Sequence, residues 1–236
     1  MAGLSAQQLA FYEAFGFVKV SGLFRAEAER FSRAFEEVFA CHEPSLVITS
    51  DDDVLQRTDR PGSGSYRDII APDFIDRHPE LRGLRFDPRV LGIVESLLGD
   101  RYQYRASDAH RFHCDTSWHF DAYGSPLSQY TVKLSFYLDR LRGDSGAIRV
   151  IPGTHDHESR FARRLQETLY RPPEEIRERY GVRADEIPAW TLDNEPGDLV
   201  IWSFRTVHAS FHGRDGRRSM HLTFSALADE QSPAAS

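Results

Sequence analysis

The sequence predicts an α+β fold in which N-terminal helices support a β-rich core, because helix-like and strand-like segments occupy separate parts of the chain. Residues 1–100 carry mainly helical periodicity, whereas residues 101–228 carry short β-rich runs. A charged, helix-leaning segment at 155–190 interrupts those runs. Helices followed by many short strands are typical of a double-sheet barrel or jelly roll. The helices have apolar faces that require the sheet, so we expect a single domain over 1–236.

The N-terminal part contains three helix patterns and one short strand. A helix is predicted over SAQQLAFYEAF, where Ser5 can cap the first turn, and a strand over GFVKVSGLF. The second helix, AEAERFSRAFEEVFA, places Phe31, Phe35 and Phe39 on one stripe, which indicates core packing. The third, PRVLGIVESLLGD, ends at Gly99. Between about 45 and 75 the acidic, Pro and Gly residues predict a loop.

Six β-rich runs follow residue 101. They are RYQYRAS, AHRFHCDTSWHFD, QYTVKLSFYLD, GAIRVIPG, GDLVIWSFR and SMHLTFSAL, and turn-forming Gly, Pro, Ser and Asp residues separate them. We interpret the segment at 155–190 as a lid-like insertion and expect it, with the segment at 45–70, at the rim of the barrel. Long loops over a rigid barrel commonly carry specificity.

Composition and charge exclude several classes of protein. The formal net charge of −7 and a pI of about 5.8 argue against a nucleic-acid-binding surface. No apolar run approaches the roughly 18 residues that a membrane span needs, and the N-terminus does not have the pattern of a secretion signal. Cys41 and Cys114 are far apart and form no CxxC motif. We therefore expect a cytoplasmic protein without a disulfide framework.

Histidine and aspartate are arranged as metal ligands often are. The chain contains two His-x-Asp pairs, His113/Asp115 and His119/Asp121, and in a strand the members of each pair share one face. His208 lies at the end of a strand that starts at a Pro-Gly-Asp turn. Two histidines and one carboxylate on neighbouring strands form the facial triad of non-haem iron(II) oxygenases, which leaves coordination positions open.

Three further polar residues accompany these candidates. Ser210 lies two residues after His208 and would share its strand face. Arg218 follows His208 by ten residues at the start of the next strand, where a guanidinium can bind a carboxylate through two hydrogen bonds. Lys133 is one of only two lysines among 29 basic residues, and its strand position permits either an inward or a solvent-facing side chain.

Four blocks of the sequence carry a resemblance to a known family. The runs DTSWHFD, GAIRVIPGTH, PGDLVIWSFRTVHAS and RRSMHLTFSA resemble the phytanoyl-CoA dioxygenase family of iron(II)/2-oxoglutarate oxygenases over roughly residues 101–226. The resemblance implies a cupin-like double-stranded β-helix with a metal at its mouth. It implies His119, Asp121 and His208 as the iron ligands, because the family places the ligand histidine directly after a tryptophan, here Trp118.

The resemblance also implies the contacts of the cosubstrate. Arg218 would bind the distal carboxylate of 2-oxoglutarate with help from Ser210, and Arg217 is the rival for that role. The spacing to the end of the strand RSMHLTFSA favours Arg218. Thr116 lies three residues before the first ligand, where the family often contacts the cosubstrate, and Lys133 is a fourth candidate. His155 is interpreted as a turn residue.

The implied activity is that of a dioxygenase using iron(II), O2 and 2-oxoglutarate, with ascorbate as a supporting reagent in vitro. It would oxidise, by default hydroxylate, a small molecule while 2-oxoglutarate is decarboxylated to succinate and CO2. A non-catalytic metal- or ligand-binding barrel of the same fold is the alternative, which the presence of all three ligands and an arginine disfavours. A polar or anionic substrate is suggested by the composition of the rim segments, which include Arg57, Arg60, Tyr66, Arg67 and Trp190.

Overall fold

Most of the predicted helices and strands are present in the structure. The computed structural model describes residues 3–44, 46–49, 66–122, 129–169, 171, 173–213 and 216–227. The helices are α1 (Ala6–Phe15), α2 (Ala28–Cys41), α3 (Pro79–Arg82), α4 (Pro88–Leu98), α5 (Arg160–Leu169) and α6 (Pro173–Tyr180). The strands are β1 (Phe17–Val20), β2 (Leu46–Thr49), β3 (Tyr66–Ile70), β4 (Tyr102–Phe112), β5 (Thr116–His119), β6 (Thr131–Tyr137), β7 (Ile148–Val150), β8 (Trp190–Leu192), β9 (Leu199–Ser203), β10 (His208–Ser210) and β11 (Arg217–Ala226).

Capping residues set the ends of the N-terminal helices. Ser5 caps α1, and its hydroxyl accepts from the backbone of Gln8 while the Gln8 side chain accepts from the backbone of Ser5. Helix α4 ends at Gly99, whose φ of 75° lies in the region that favours glycine. The predicted ends of these two helices are therefore confirmed. No helix in the described part of the chain is long and apolar enough to cross a bilayer.

Two antiparallel sheets form the jelly roll that the sequence predicts. The larger sheet has the order β1-β9-β6-β11-β4-β3-β2, and the smaller has the order β5-β10-β7-β8. Most neighbours in these orders, such as β9 and β6 or β11 and β4, are not consecutive in the chain, as in a double-stranded β-helix. The segment at 45–75, expected to be a loop, contributes the paired strands β2 and β3. Residues 50–65, with Arg57 and Arg60, lie outside the described residues.

The N-terminal helices cover one face of the larger sheet. Phe31 and Phe35 of α2 are buried in the same cluster as Met220, Leu222 and Phe224, which alternate along β11. A second apolar cluster involves residues of both sheets, including Tyr137 and Trp202 of the larger sheet and Ile148 of the smaller. The side chains that alternate with the helix-facing ones on β11 consequently point between the sheets.

The insertion at 155–190 packs against the smaller sheet. Leu169 and Ile176 are buried with Trp118 and Phe211, and the indole N–H of Trp118 donates to the carbonyl of Ala184 at 2.8 Å. None of the described residues of the insertion lines the cavity between the sheets. The described part of the insertion therefore supports the back of the smaller sheet, which corrects the expectation of a lid-like position.

Two strand boundaries differ from the sequence prediction. The runs RYQYRAS and AHRF form one continuous strand, β4, which ends at Phe112. His113 and Asp115 therefore lie in the connection to β5 and not on the strand that carries His119. Likewise, β9 ends at Ser203, and His208 begins a separate strand in the other sheet.

Candidate active site

A cavity of about 470 Å³ lies between the two sheets. Its size is that of an ordinary small-molecule site. Both sheets contribute polar side chains to its wall, among them His119 and His208 of the smaller sheet and Lys133 and Arg217 of the larger. Two His–Asp clusters with the composition of metal sites occur among the described residues, and one of them is the predicted triad of His119, Asp121 and His208.

Strand pairing brings the triad together. His208 lies directly opposite His119 in the antiparallel pair of β10 and β5, and the ring centroids are 4.2 Å apart. Asp121 follows β5 by two residues, and its two carboxylate oxygens each lie 3.9 Å from the Nε2 atom of one histidine. The three ligand atoms thus surround one point at the edge of the smaller sheet.

Backbone carbonyls orient both imidazoles. The Nδ1 atom of His119 is 2.8 Å from the carbonyl oxygen of Ser117, and that of His208 is 2.9 Å from the carbonyl oxygen of Thr206. In a neutral ring, an Nδ1–H that donates to a carbonyl leaves the lone pair on Nε2, which is the atom that faces Asp121. The second contact of each histidine therefore selects the tautomer that can bind a metal.

The protonation states of the triad also suit a metal. Burial, reinforced by the neighbouring His208, lowers the pKa of His119 to about 3. Burial lowers the pKa of His208 as well. Burial opposes ionisation of Asp121, but the ammonium of Lys133 and the two imidazoles outweigh it, and the pKa of this carboxyl is well below its usual range. At neutral pH the site thus offers two neutral imidazoles and one carboxylate, the donor set of a divalent metal.

Lys133 points inward and pairs with the carboxylate of the triad. Its Nζ atom is 3.2 Å from Oδ2 of Asp121, and the indole N–H of Trp202 donates to the same oxygen at 3.0 Å. Burial disfavours the charged ammonium, but Asp121 and Asp108 outweigh this effect and raise the pKa of Lys133. Of the two orientations that the sequence left open for Lys133, the structure shows the inward one.

Arg218 does not face the cavity, contrary to the prediction. Its guanidinium makes two hydrogen bonds to Asp139, at 2.6 and 3.1 Å, and a further one to Glu36 of α2 at 2.9 Å. Arg218 shares its strand face with Met220, Leu222 and Phe224, which pack against the helices. A residue on that face of β11 is separated from the cavity by the sheet itself.

Arg217, the rival, is the arginine that lines the cavity. Its Nη1 atom donates to the carbonyl of Gly146 at 2.8 Å and also to the hydroxyl of Ser210. The Nε and Nη2 atoms are buried and find no hydrogen-bond partner in the described part of the chain. Burial lowers the pKa of Arg217, but a guanidinium stays protonated in proteins. Two donors of a buried cation are thus left available.

Ser210 and Thr116 line the cavity beside Arg217. They are cross-strand partners in the pair of β10 and β5. The Ser210 hydroxyl donates to the carbonyl of Gly146 at 2.8 Å, whereas the Thr116 hydroxyl is buried without a partner among the described residues. Gly146 has a φ of 93°, and a Cβ there would lie 2.7 Å from Cα of Gly213 and 3.0 Å from Cδ of Arg217. Glycine at this position therefore permits the guanidinium to lie against the loop.

Among the other candidate residues, Arg67 lines the cavity, whereas His113, Asp115, His155 and Trp190 do not. The pair His113/Asp115 does not line it, and Asp115 instead accepts a hydrogen bond from the backbone of His212 at 2.7 Å. His155 contacts the carbonyl oxygen of Glu13 at 3.0 Å through Nε2 and so joins a turn to α1, as its interpretation as a turn residue implies. Trp190 is 56% exposed.

Three polar residues of the cavity region were not predicted. They are Asp108 and His110 on β4 and His221 on β11, which form the second His–Asp cluster. The signal that could have found them is strand alternation. The residues at 217, 219 and 221 share the face opposite to Met220, Leu222 and Phe224, and 108 and 110 share the corresponding face of β4.

The fold and the site together define a jelly-roll protein with the ligand set of the non-haem iron(II) oxygenases, two histidines and one carboxylate with open positions. The chain matches the profile of the phytanoyl-CoA dioxygenase family over residues 12–219. It therefore belongs to that family, which confirms the resemblance that the sequence motifs suggested.

Several solved structures share the fold of this chain. The chain is similar to the non-haem α-ketoglutarate-dependent carbocyclase SnoK from nogalamycin biosynthesis, with 21% identity over 94% of this chain and 84% of SnoK and a TM-score of 0.68. It is also similar to the epimerase SnoN in complex with Fe3+, α-ketoglutarate and nogalamycin RO (17% identity, 98% and 90% coverage, TM-score 0.67). A third similar structure is HygX from Streptomyces hygroscopicus with nickel and 2-oxoglutarate bound, with 16% identity over 96% of this chain and 88% of HygX and a TM-score of 0.66. A search of curated proteins finds no significant match.

Proposed function

We propose that this protein is an iron(II)/2-oxoglutarate-dependent dioxygenase that hydroxylates a small molecule. The observation that carries the proposal is the presence, in one cavity, of the His119/Asp121/His208 triad and a buried arginine with two unused donors. Neither the triad alone nor the buried arginine alone is specific to this class of enzyme. Together they supply a place for a divalent metal and, beside it, a place for a dicarboxylate, which is the combination that this class of enzyme needs.

The triad fits a resident iron(II) ion. The Nε2 atoms of His119 and His208 carry lone pairs because their Nδ1 atoms face carbonyl oxygens. The carboxylate of Asp121 is ionised and is held by Lys133 and Trp202. These three ligands line the cavity, and a metal that they held would keep coordination positions for other ligands. We therefore assign all three as metal ligands.

Arg217, and not Arg218, is the residue that we assign to the distal carboxylate of 2-oxoglutarate. Its buried Nε and Nη2 atoms have no partner in the described part of the chain, and such donors cost free energy unless a ligand satisfies them. The Thr116 hydroxyl is a third unused group at the same end of the cavity. Ser210 and the Gly146 carbonyl hold the guanidinium from behind.

The residues around these ligands orient the reactants and exclude water. When bound at the triad with 2-oxoglutarate and O2, iron(II) supplies the oxidising chemistry, in which the cosubstrate is decarboxylated to succinate and CO2 while the substrate is hydroxylated. Arg217 fixes the cosubstrate at one end of the cavity, and Lys133 balances the charge of Asp121. Trp202 and Tyr137 are buried and line the same cavity, so they shield part of it from bulk water.

The experiment compares alanine variants of His119 and His113, the histidines of the two His-x-Asp pairs. Succinate formation is measured with iron(II), 2-oxoglutarate, ascorbate and air, with and without a metabolite pool. We expect His119→Ala to abolish iron-dependent succinate formation, because one metal ligand is lost. His113→Ala is the matched control, since His113 does not line the cavity, and it should retain the wild-type rate.

Two outcomes would contradict the proposal. Wild-type protein that forms no succinate and binds no 2-oxoglutarate by calorimetry would instead be a non-catalytic barrel. Loss of activity in the His113 variant with retention in the His119 variant would move the metal to the other pair.

A further inference from the structure

A second polar cluster lies along the wall of the same cavity. Asp108 and His110 are on β4, and His221 is on β11 directly opposite Asp108. Nε2 of His110 is 2.7 Å from a carboxylate oxygen of Asp108. His110 and His221 line the cavity, and their ring centroids are 5.2 Å apart. The proposed iron site uses none of these three residues.

The contacts of this cluster disfavour a second metal ion. Both ring nitrogens of His221 are engaged, Nδ1 with the hydroxyl of Ser135 at 2.6 Å and Nε2 with that of Ser219 at 2.9 Å. The ammonium of Lys133 is close enough to Asp108 to help hold the pKa of that carboxyl below its usual range, against the opposing effect of burial. Because both nitrogens of His221 are engaged by hydroxyl groups, the cluster is better suited to hydrogen bonding.

His110 presents an unused acceptor. The carboxylate of Asp108 can only accept, so the imidazole proton is on Nε2 and the lone pair is on Nδ1. Burial lowers the pKa of His110, which keeps the ring neutral. Nδ1 is buried and finds no hydrogen-bond partner within the described residues. An unsatisfied buried acceptor is costly, and in a native structure it calls for an explanation.

The cosubstrate cannot satisfy this acceptor. 2-Oxoglutarate is a dianion at neutral pH and carries no hydrogen-bond donor, and O2 carries none either. Of the reactants that enter the cavity, the substrate is the one that can bring a donor to Nδ1. The described lining contains three cations, Arg67, Lys133 and Arg217, and one carboxylate, Asp121, so an ammonium donor would be repelled. A hydroxyl group meets both requirements.

We propose that Nδ1 of His110, oriented by Asp108, accepts a hydrogen bond from a hydroxyl group of the substrate, which is a hydroxylated molecule without positive charge. This inference rests on the proposed function, because it describes the substrate of that same site. His110 is thus a substrate-binding residue, and Asp108 is the residue that positions it.

The binding test uses matched triplets of small compounds, each scaffold as an alcohol, its deoxy analogue and the corresponding amine. Binding is measured by ligand-observed NMR on the anaerobic full-length protein loaded with iron(II) and 2-oxoglutarate. We expect alcohols to bind about tenfold more tightly than the deoxy analogues, the value of one hydrogen bond, and amines to bind most weakly. His110→Leu should remove the preference, and His110→Asn, whose amide oxygen can replace Nδ1, should restore part of it.

A second measurement tests the dyad without any substrate. The ¹⁵N spectrum of labelled wild-type protein should show His110 protonated on Nε2 and unprotonated on Nδ1, and Asp108→Asn should move the proton to Nδ1. A proton on Nδ1 in the wild type would overturn the proposal. So would equal binding of alcohols and deoxy analogues, or no binding of any alcohol, by protein that does bind 2-oxoglutarate. Wild-type protein that fails to bind 2-oxoglutarate would instead refute the proposed function.

Discussion

Replacing Arg217 with methionine is expected to remove 2-oxoglutarate binding, whereas the same replacement of the adjacent Arg218 should leave it intact. The two residues are neighbours on β11 and carry the same charge, so composition and sequence position hardly distinguish them. Their environments differ completely. Arg217 lies in the cavity with two unpartnered donors, and Arg218 lies on the opposite face, paired with Asp139 and Glu36.

The magnitude follows from the donors that are lost. A hydrogen bond to a charged group contributes about 1.5–3 kcal/mol, and the guanidinium of Arg217 offers two, through Nε and Nη2. Taking the lower value for each gives about 3 kcal/mol, or roughly a hundredfold increase in Kd, since about 1.4 kcal/mol is tenfold. Arg218→Met should leave Kd unchanged and cost about 1 kcal/mol of stability, because its ion pairs are partly exposed.

The assay is calorimetric titration of 2-oxoglutarate into each variant loaded with iron(II) without oxygen, together with the Tm of each protein in the absence of ligand. Arg217→Met should be at least as stable as the wild type, because methionine fills the space of the stem without burying unpaired donors. Only the wild type and Arg218→Met should gain Tm when 2-oxoglutarate is added.

The opposite pattern of affinities would refute this reasoning. If Arg218→Met lost the cosubstrate and Arg217→Met kept it, the strand face of the anchor would have been assigned wrongly. Equal affinity in all three proteins would place the carboxylate-binding group elsewhere in the cavity.

Three further predictions concern other parts of the molecule. Gly146→Ala should weaken 2-oxoglutarate binding at least tenfold, because the new Cβ would lie 2.7 Å from Cα of Gly213 and 3.0 Å from Cδ of Arg217 and would displace both; calorimetry measures this. Lys133→Met should tighten iron(II) binding by roughly tenfold, since a cation 3.2 Å from the carboxylate ligand repels the metal, and anaerobic chelator competition would detect it. Phe35→Ala should cost about 4 kcal/mol and lower Tm by about 10 °C, whereas Phe86→Ala, at a 65% exposed position, should leave Tm nearly unchanged.

The sequence predicts most of the helices and the residue types of the triad because these depend on local signals. Ser5 and Gly99 mark helix ends through capping chemistry that involves only nearby backbone atoms. Trp118 directly before His119 selects one of the two His-x-Asp pairs through the family motif. The structure places that pair beside the cavity and the other outside it. No local signal in the sequence indicates where the insertion at 155–190 packs, because a charged helical segment can lie against either the rim or the back of a sheet.

Sequence by itself determined the jelly-roll class, the three candidate ligands and the need for an arginine near the start of the last strand. Only the tertiary structure decided which arginine this is. Successive residues of a strand face opposite sides, and the side that becomes the cavity is the one that the helices do not cover. The packing of the N-terminal helices on the face that carries Met220, Leu222 and Phe224 fixed that choice, and it turned Arg217 inward and Arg218 outward. The same alternation, applied across β4 and β11, placed Asp108, His110 and His221 beside the cavity, where no short motif in the sequence had marked them.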